Sequence, residues 1–415
     1  MANAYKYGFN PDAIIEKLFQ KSLVGDGDNG FLQTLIDNAI EENANPMFWQ
    51  EHFTLDGTEY KVNLANSKLD PAYTVNSVVR NAVPMADAMA PLSEVAQIDG
   101  EGYETRTGSI HQFGKGMYET SLSKEELKAR LETLDIKDAN LLNGFVRNVA
   151  DIIRGHNYRL SYMAAQVLSL GGAYNNTSSK GWSGVKVDEK AYIPATNFVK
   201  AGAKVWSEAE CDIPSQMQKI EEDFKKSRGL SDDFTFEWDI PYDLVVGTLL
   251  NNKYFKAEVN RYIRLYAPDK VIVVTNGANS VDNSIISWEQ LVAYSRSSIS
   301  KIAPIRVCKQ ESIDQTITTI NTVKGWKTGV AVLRPLGYAG VVVHSDVAEV
   351  PLLQREANNT IDYQIAKTQG FLYVINKVVP NGIYKAYHTD VIGRYAPVLT
   401  EWNNHLVVDT TQANG

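Results

Sequence analysis

The stretch DANLLNGFVRNVADIIRGHNYRLSYMAAQVLSLGG, Asp138 to Gly172, limits the possible folds more than any other part of the chain. Leu142, Phe145, Val146, Val149, Ile152, Ile153, His156, Leu160, Met163, Ala164 and Val167 recur at three- and four-residue steps, which places them on one stripe of a 3.6-residue helix. The spacing predicts a helix over 139–170 with that stripe buried. Asp138 offers an oxygen to a free first-turn N–H, and Gly171 and Gly172 permit the positive φ with which helices often end. At 1.5 Å per residue such a helix is about 48 Å long. Ordinary globular helices run about 8–20 residues. This one is expected to be the backbone of an elongated subunit, with His156 on its apolar stripe as a hydrogen-bonded core histidine.

A chain of 415 residues can be one large domain, two, or one with long extensions. Its 44% hydrophobic and 22% charged residues are those of a soluble globular protein. The net charge of −8, with no basic run longer than Lys225–Lys226, opposes polyanion binding, which needs a local excess of Lys and Arg. Cys211 and Cys308 are too few for a disulfide framework, which suits a reducing cytoplasm or indifference to redox. No stretch approaches 18 apolar residues and MANAYKYGFN has no signal-peptide core, so no membrane association is expected. Twenty-one Tyr and seven Trp suit a large interface as well as a core.

Before the long helix, residues 10–43 read as two short helices, the first opened by Asn10-Pro11. From Asn45 to about Met89 no period persists, which predicts an extended arm lying on another surface. Ala90 to Ser121 carries β-type residues, several glycines and no helical period, and reads as a two-stranded excursion with a flexible tip. A lone hairpin is marginal in water, so packing on another copy is expected. Its intersubunit loop is expected to present Gly108, His111, Phe113, Gly114, Lys115, Gly116 and Tyr118. Deleting 108–116 should then leave a folded monomer that cannot assemble. Ser123 to Glu126 is a capping box leading toward the long helix.

Beyond Gly172, Asp212-Ile213-Pro214 opens a helix that Gly229 ends, and FTFEWDIP is an alternating strand followed by a short helix. Strands are expected at 270–275, 303–308, 329–334, 340–344, 371–378, 383–387 and 405–409, with a helix over Trp288–Ser295. That order is α+β, not a regular βαβ array.

Motifs of chemistry fail on inspection. Gly25-Asp-Gly-Asp-Asn-Gly30 matches a dinucleotide fingerprint literally, but it follows a helical stretch and Asp26 and Asp28 would repel phosphate. Gly108 to Lys115 misses the phosphate-loop spacing by one residue. His344-x-Asp346 and His388-x-Asp390 could each set two ligands on one strand face, yet there is no HxH, HExxH or CxxC. No nucleophile, base and orienter can be assembled. No cofactor, metal or catalytic residue is expected.

The order of elements (N-terminal arm, glycine-bearing β excursion, one long helix, mixed α+β region, strand-rich return) resembles the major capsid proteins of tailed bacteriophages with the Hong Kong 97-type fold. The stretch KVWSEAECDIPSQMQKIEEDFKKSRGLSDDFTFEWDIPYDLVVGTLLNN and the later WKTGVAVLRPLGYAG are similar to the lambda-type coat protein branch. The resemblance covers about residues 70–400 in order of elements; residues 1–70 match nothing in it. It implies an N-terminal arm over 1–89, an extended β loop over 90–122, a peripheral domain over 123–184 and 345–415 that includes the spine helix 139–170, and an axial domain over 185–344. It further implies self-assembly as hexamers and pentamers into an icosahedral shell in the host cytoplasm, enclosing double-stranded DNA without sequence-specific binding. Scaffold, portal and decoration proteins would be its partners. Two alternatives stay open: an encapsulin-like nanocompartment shell subunit, and a soluble metal-dependent enzyme using one of the His-x-Asp pairs.

Overall fold

The computed structural model describes residues 47–60, 71–79, 102–119, 140–175, 187–231, 233–266, 285–315, 320–347, 349–350, 362–381 and 384–414. The helices expected over 10–43 and from Ser123, the cap at Asp138 and the strand at 270–275 lie outside them. In chain order the first elements are α1 (Phe48–His52), β1 (Phe53–Tyr60), β2 (Ala72–Val79), β3 (Gly102–Ser109), β4 (Gln112–Glu119), α2 (Asn140–Ser169), β5 (Tyr174–Asn175), β6 (Asp188–Glu189) and β7 (Phe198–Lys200). There follow α3 (Ile213–Arg228), β8 (Phe236–Pro241), α4 (Tyr242–Gly247), α5 (Lys253–Tyr266), α6 (Trp288–Ser295) and β9 (Ile305–Cys308). The chain closes with β10 (Ser312–Gln315), β11 (Ile320–Val323), β12 (Val330–Pro335), β13 (Gly340–Ser345), β14 (Asp362–Thr368), β15 (Leu372–Asn381), β16 (Tyr384–Leu399) and β17 (Leu406–Asp409). The class is mixed α+β, as the sequence order predicts.

Two sheets organise these elements. A five-stranded sheet runs β7-β17-β12-β8-β9. Its residues alternate between two cores: Ala331, Leu333, Leu406 and Val408 pack under α3, α5 and α6, while Val330, Val332 and Val407 pack toward α2. Period-2 side chains make this possible only because both faces are covered. A six-stranded sheet runs β1-β13-β16-β15-β14, with β4 also paired to β16. The capped helix α3 follows its sequence signals, with Asp212 Oδ1 accepting from Ser215 N and Gly229 at φ 61°.

Helix α2 begins and ends within a residue of the expected bounds, and Gly171 and Gly172 take φ of 65° and 96°. Ile152, Ile153, His156, Leu160, Met163 and Val167 are buried as the stripe requires; the side chains of Leu142, Phe145 and Val149 lie outside the described residues. The single stripe does not persist, however. From Leu160 to Ser169 every residue is buried, because strands of both sheets pack around this half of the helix. Its polar residues then need partners inside: Gln166 Nε2 donates to Asn175 Oδ1 at 3.1 Å, and Ser169 Oγ accepts from Lys327 N at 3.0 Å.

Three expectations change. The excursion is not a hairpin on itself: β3 pairs antiparallel with β2, while β4 pairs antiparallel with β16 inside the main sheet. Phe113 stacks on Tyr395 at 5.0 Å between centroids, so a partner nearly 300 residues away replaces the local one. Residues 47–60, expected in an extended arm, are built into the core through Phe48, Trp49 and Phe53, and β1 lies parallel to β13. Aromatic residues packing at long range leave no local period to read. Finally β17, grouped by sequence with 345–415, lies between β7 and β12 in the five-stranded sheet.

Candidate functional site

The strand FEWDIP explains the most unusual arrangement in the molecule. Its apolar positions Phe236, Trp238 and Ile240 face the core under α3, which turns Glu237 and Asp239 to the opposite face. Alternation of this kind predicts acids in solvent, yet both are buried. Arg334 on β12 answers them, donating from Nε to Asp239 Oδ2 at 2.5 Å and from Nη2 to Asp239 Oδ1 at 3.1 Å and Glu237 Oε2 at 2.9 Å. Arg306 on β9 adds a contact to Glu237 at 3.0 Å and donates to the Glu51 carbonyl at 2.8 Å. Burial alone would raise the Asp239 carboxyl, but the Arg334 guanidinium beside it holds it well below the usual range.

His52 and Cys308 complete the cluster. His52 Nδ1 donates to the Phe48 carbonyl at 3.0 Å, leaving Nε2 bare to accept from the Cys308 thiol at 3.6 Å. Asp239 Oδ2 lies 3.7 Å from the same Nε2. Burial, and then the negative Asp239, push the Cys308 thiol far up. A nucleophilic triad needs the carboxylate on the other imidazole nitrogen and a thiolate open to substrate, and neither is found.

The ligating atoms of His52, Asp239 and Cys308 lie within 4.8 Å of one another, a spacing that a thiophilic divalent cation could use. Charge argues otherwise. Two carboxylates already face two guanidiniums, and both Asp239 oxygens accept from Arg334, so a divalent ion would sit against an arginine across a shared oxygen. The residues fit a closed ion network. It joins the N-terminal segment to the five-stranded sheet.

The residues expected at an intersubunit loop are spread along β3 and β4. His111 Nε2 lies 3.3 Å from Glu189 Oε1, and Gly114, Lys115 and Gly116 are exposed on β4. Tyr118 lies on β4 opposite His388. Two of the glycines pack closely within the chain: a Cβ at Gly108 would meet the Tyr73 hydroxyl at 2.5 Å and its ring at 2.6 Å, and one at Gly116 would meet the Asp390 carboxylate. His156 is a core histidine: Nε2 donates to the Val391 carbonyl and Nδ1 accepts from Tyr395 Oη, both at 3.0 Å, and burial lowers it to about 4. His344 Nε2 donates to the Asp56 carbonyl at 3.0 Å. Among the described residues neither His-x-Asp pair belongs to a ligand cluster; the side chain of His388 lies outside them.

Large exposed apolar side chains include Leu55 on β1, Tyr242 and Val246 on α4, Leu265 and Tyr266 at the end of α5, and Leu336 and Tyr338 in the turn after β12. The turn after β12 is pinned from within, since Arg334 Nη1 donates to the carbonyls of Pro335 at 3.0 Å and Gly337 at 2.6 Å. A cleft of about 720 Å³ opens between α3 and β7. Sequence reading missed Arg334 and this turn; the signal present was the acid-bearing alternation of FEWDIP opposite the lone arginine of VAVLRPLGY.

No protein-family model and no curated protein matches the chain. Among solved structures, the candidate capsid protein of a prophage in E. coli CFT073 is 14% identical, with 91% of this chain and 97% of that one covered at a TM-score of 0.45. A phage-related protein of Bordetella bronchiseptica RB50 is 12% identical over 91% and 96% of the two chains, with a TM-score of 0.44. The chain is similar to phage capsid proteins. The capsid protein of the Myoviridae phage XM1 is a further case, 9% identical over 87% and 90% of the chains, at a TM-score of 0.40.

Proposed function

We propose that this chain is the repeating subunit of a tailed-phage capsid of the Hong Kong 97 type. Copies associate as hexamers and pentamers into an icosahedral shell around double-stranded DNA. The observation that carries this reading is the turn after β12, whose Leu336 and Tyr338 are held outward by hydrogen bonds from a buried arginine. A protein that worked alone would have reason to cover such side chains. In this reading α2 is the spine, residues 185–344 with β17 form the axial domain, and the remainder of 123–184 and 345–415 forms the peripheral domain. Residues 47–60 and β4 belong to the subunit's own core and main sheet, and the rest of 1–89 and 90–122 is proposed to reach toward neighbouring copies. The net charge of −8 suits retention of DNA by containment, since an acidic wall does not hold phosphate. The role is mechanical, with no step of catalysis, and scaffold, portal and decoration proteins would be its partners.

Nuclease treatment of particles purified from producing cells tests the contents. Protected double-stranded DNA of uniform length is expected. A cargo enzyme in place of DNA would make the chain a nanocompartment subunit instead.

A further inference from the structure

The ribbon β2–β3 stands apart from both main sheets. Its strands pair antiparallel from Ala72↔Ser109 to Val79↔Gly102 and, among the described residues, with no other strand. A two-stranded ribbon is marginal in water by itself, so docking on the body is what holds it. That docking uses one face. Tyr73, Val75 and Ser77 of β2 are buried while Ala72, Thr74 and Asn76 are exposed, and Glu104, Thr105 and Thr107 of β3 are exposed too. Three polar ties add to the buried face. Tyr60 Oη donates to the Thr74 carbonyl at 2.9 Å. Glu104 Oε2 accepts from Trp402 Nε1 at 3.0 Å and from Asn403 Nδ2 at 2.8 Å. Glu189 on β6 lies 3.3 Å from His111 and 3.7 Å from Arg106, whose guanidinium covers the Tyr192 ring at 3.7 Å.

The seat is imperfectly matched, however. Ser77 Oγ and Arg106 Nε are buried with no hydrogen-bond partner, and both would gain water if the ribbon lifted. The two strands also leave the body at a single point. The ribbon starts after Pro71 and ends before Ile110, and Ile110 N donates to the Pro71 carbonyl at 3.0 Å. That point is anchored, since Ile110 is fully buried and Tyr395 N donates to the His111 carbonyl at 3.3 Å. We infer that β2–β3 is a hinged strap, which lifts from the subunit as one ladder about the Pro71–Ile110 pair and leaves both main sheets intact. Lifting takes Tyr73 out of the core that holds Tyr174, and Arg106 off Tyr192, so the surface it uncovers is aromatic. The inference does not depend on the shell-subunit reading.

Hydrogen exchange followed by mass spectrometry on the full-length protein tests it. After correction for intrinsic rates, the hydrogen-bonded amides of 72–79 and 102–109 should share one opening constant, at least about tenfold larger than that of β12 and β16. Glu104→Ala, at an exposed site, should raise that shared constant about tenfold and leave β12 and β16 unchanged. Ser77→Ala should lower it, because the docked ribbon then buries no unpaired hydroxyl. Ribbon amides as protected as those of β12, or strands β2 and β3 opening with different constants, would overturn the strap. So would a Glu104→Ala chain whose main sheets loosen by the same factor, or faster ribbon exchange in Ser77→Ala.

Discussion

At the scale of single residues the most consequential position is Arg334. Replacing it by Met keeps much of the volume but leaves Asp239 buried without its arginine and Glu237 with Arg306 alone, which should cost about 3–5 kcal/mol in urea unfolding. A loss below about 1 kcal/mol would mean that the acids find other partners. Titration offers a second test at this scale. Burial lowers His156 and His405 to about 4, below the value of 6.5 that each has when exposed. Between those pH values the unfolded chain binds more protons, so stability should fall on acidification from 6.5 toward 4, by up to about 1.4 kcal/mol per pH unit for each histidine. His156→Gln should remove one histidine's share of that slope. Glu221 has the opposite sign: burial raises it to about 7, against the hydrogen bonds it accepts from Trp238 and Ala303. Stability linked to it is present below the ordinary carboxylate value and lost as pH rises through 7. Glu221→Gln should therefore stabilise the protein at pH 8, on the order of 2 kcal/mol, and not at pH 4. His156 was legible in the sequence because its place on a helical stripe fixed its surroundings. Arg334 was not, since its partner Asp239 lies 95 residues away and an alternating acidic strand reads as solvent-facing.

At the scale of elements, α2 carries the account. Ile153→Asp would bury a carboxylate among apolar side chains, a cost above about 4 kcal/mol, and no soluble folded protein is expected on expression. The deletion of 108–116 now carries a different expectation from the one its glycines suggest. It would remove the ladder of β4 with β16 and the close packing of Gly108 on Tyr73, so the monomer itself should fail to fold. A folded, assembly-deficient monomer, seen as a native circular dichroism spectrum with a single small species in solution, would contradict that placement. Helices with caps and periodic stripes, α2, α3 and α6, were legible with their bounds. Strand β1 was not, because it packs on distant segments and has no clean alternation, and β2, which alternates Tyr73, Val75 and Ser77 inward, is too short a pattern to stand out without its partner β3. Strand existence was clear at β12, β13 and β15, where β-branched residues cluster, but the pairing of β4 and β17 was set by topology.

At the scale of the whole molecule, two sheets share one long helix, and a buried ion network ties the N-terminal segment to the five-stranded sheet. The order of elements legible along the chain led to the shell reading, while the surfaces that would join copies emerged only once the strands were in register. The chain's central claim is that it works as a copy among copies. Light scattering with negative-stain electron microscopy on the purified protein, expressed with and without a scaffold partner, measures that most directly. Closed or tubular assemblies of megadalton mass are the predicted result. A protein that stays monomeric under both conditions at high concentration would contradict the claim.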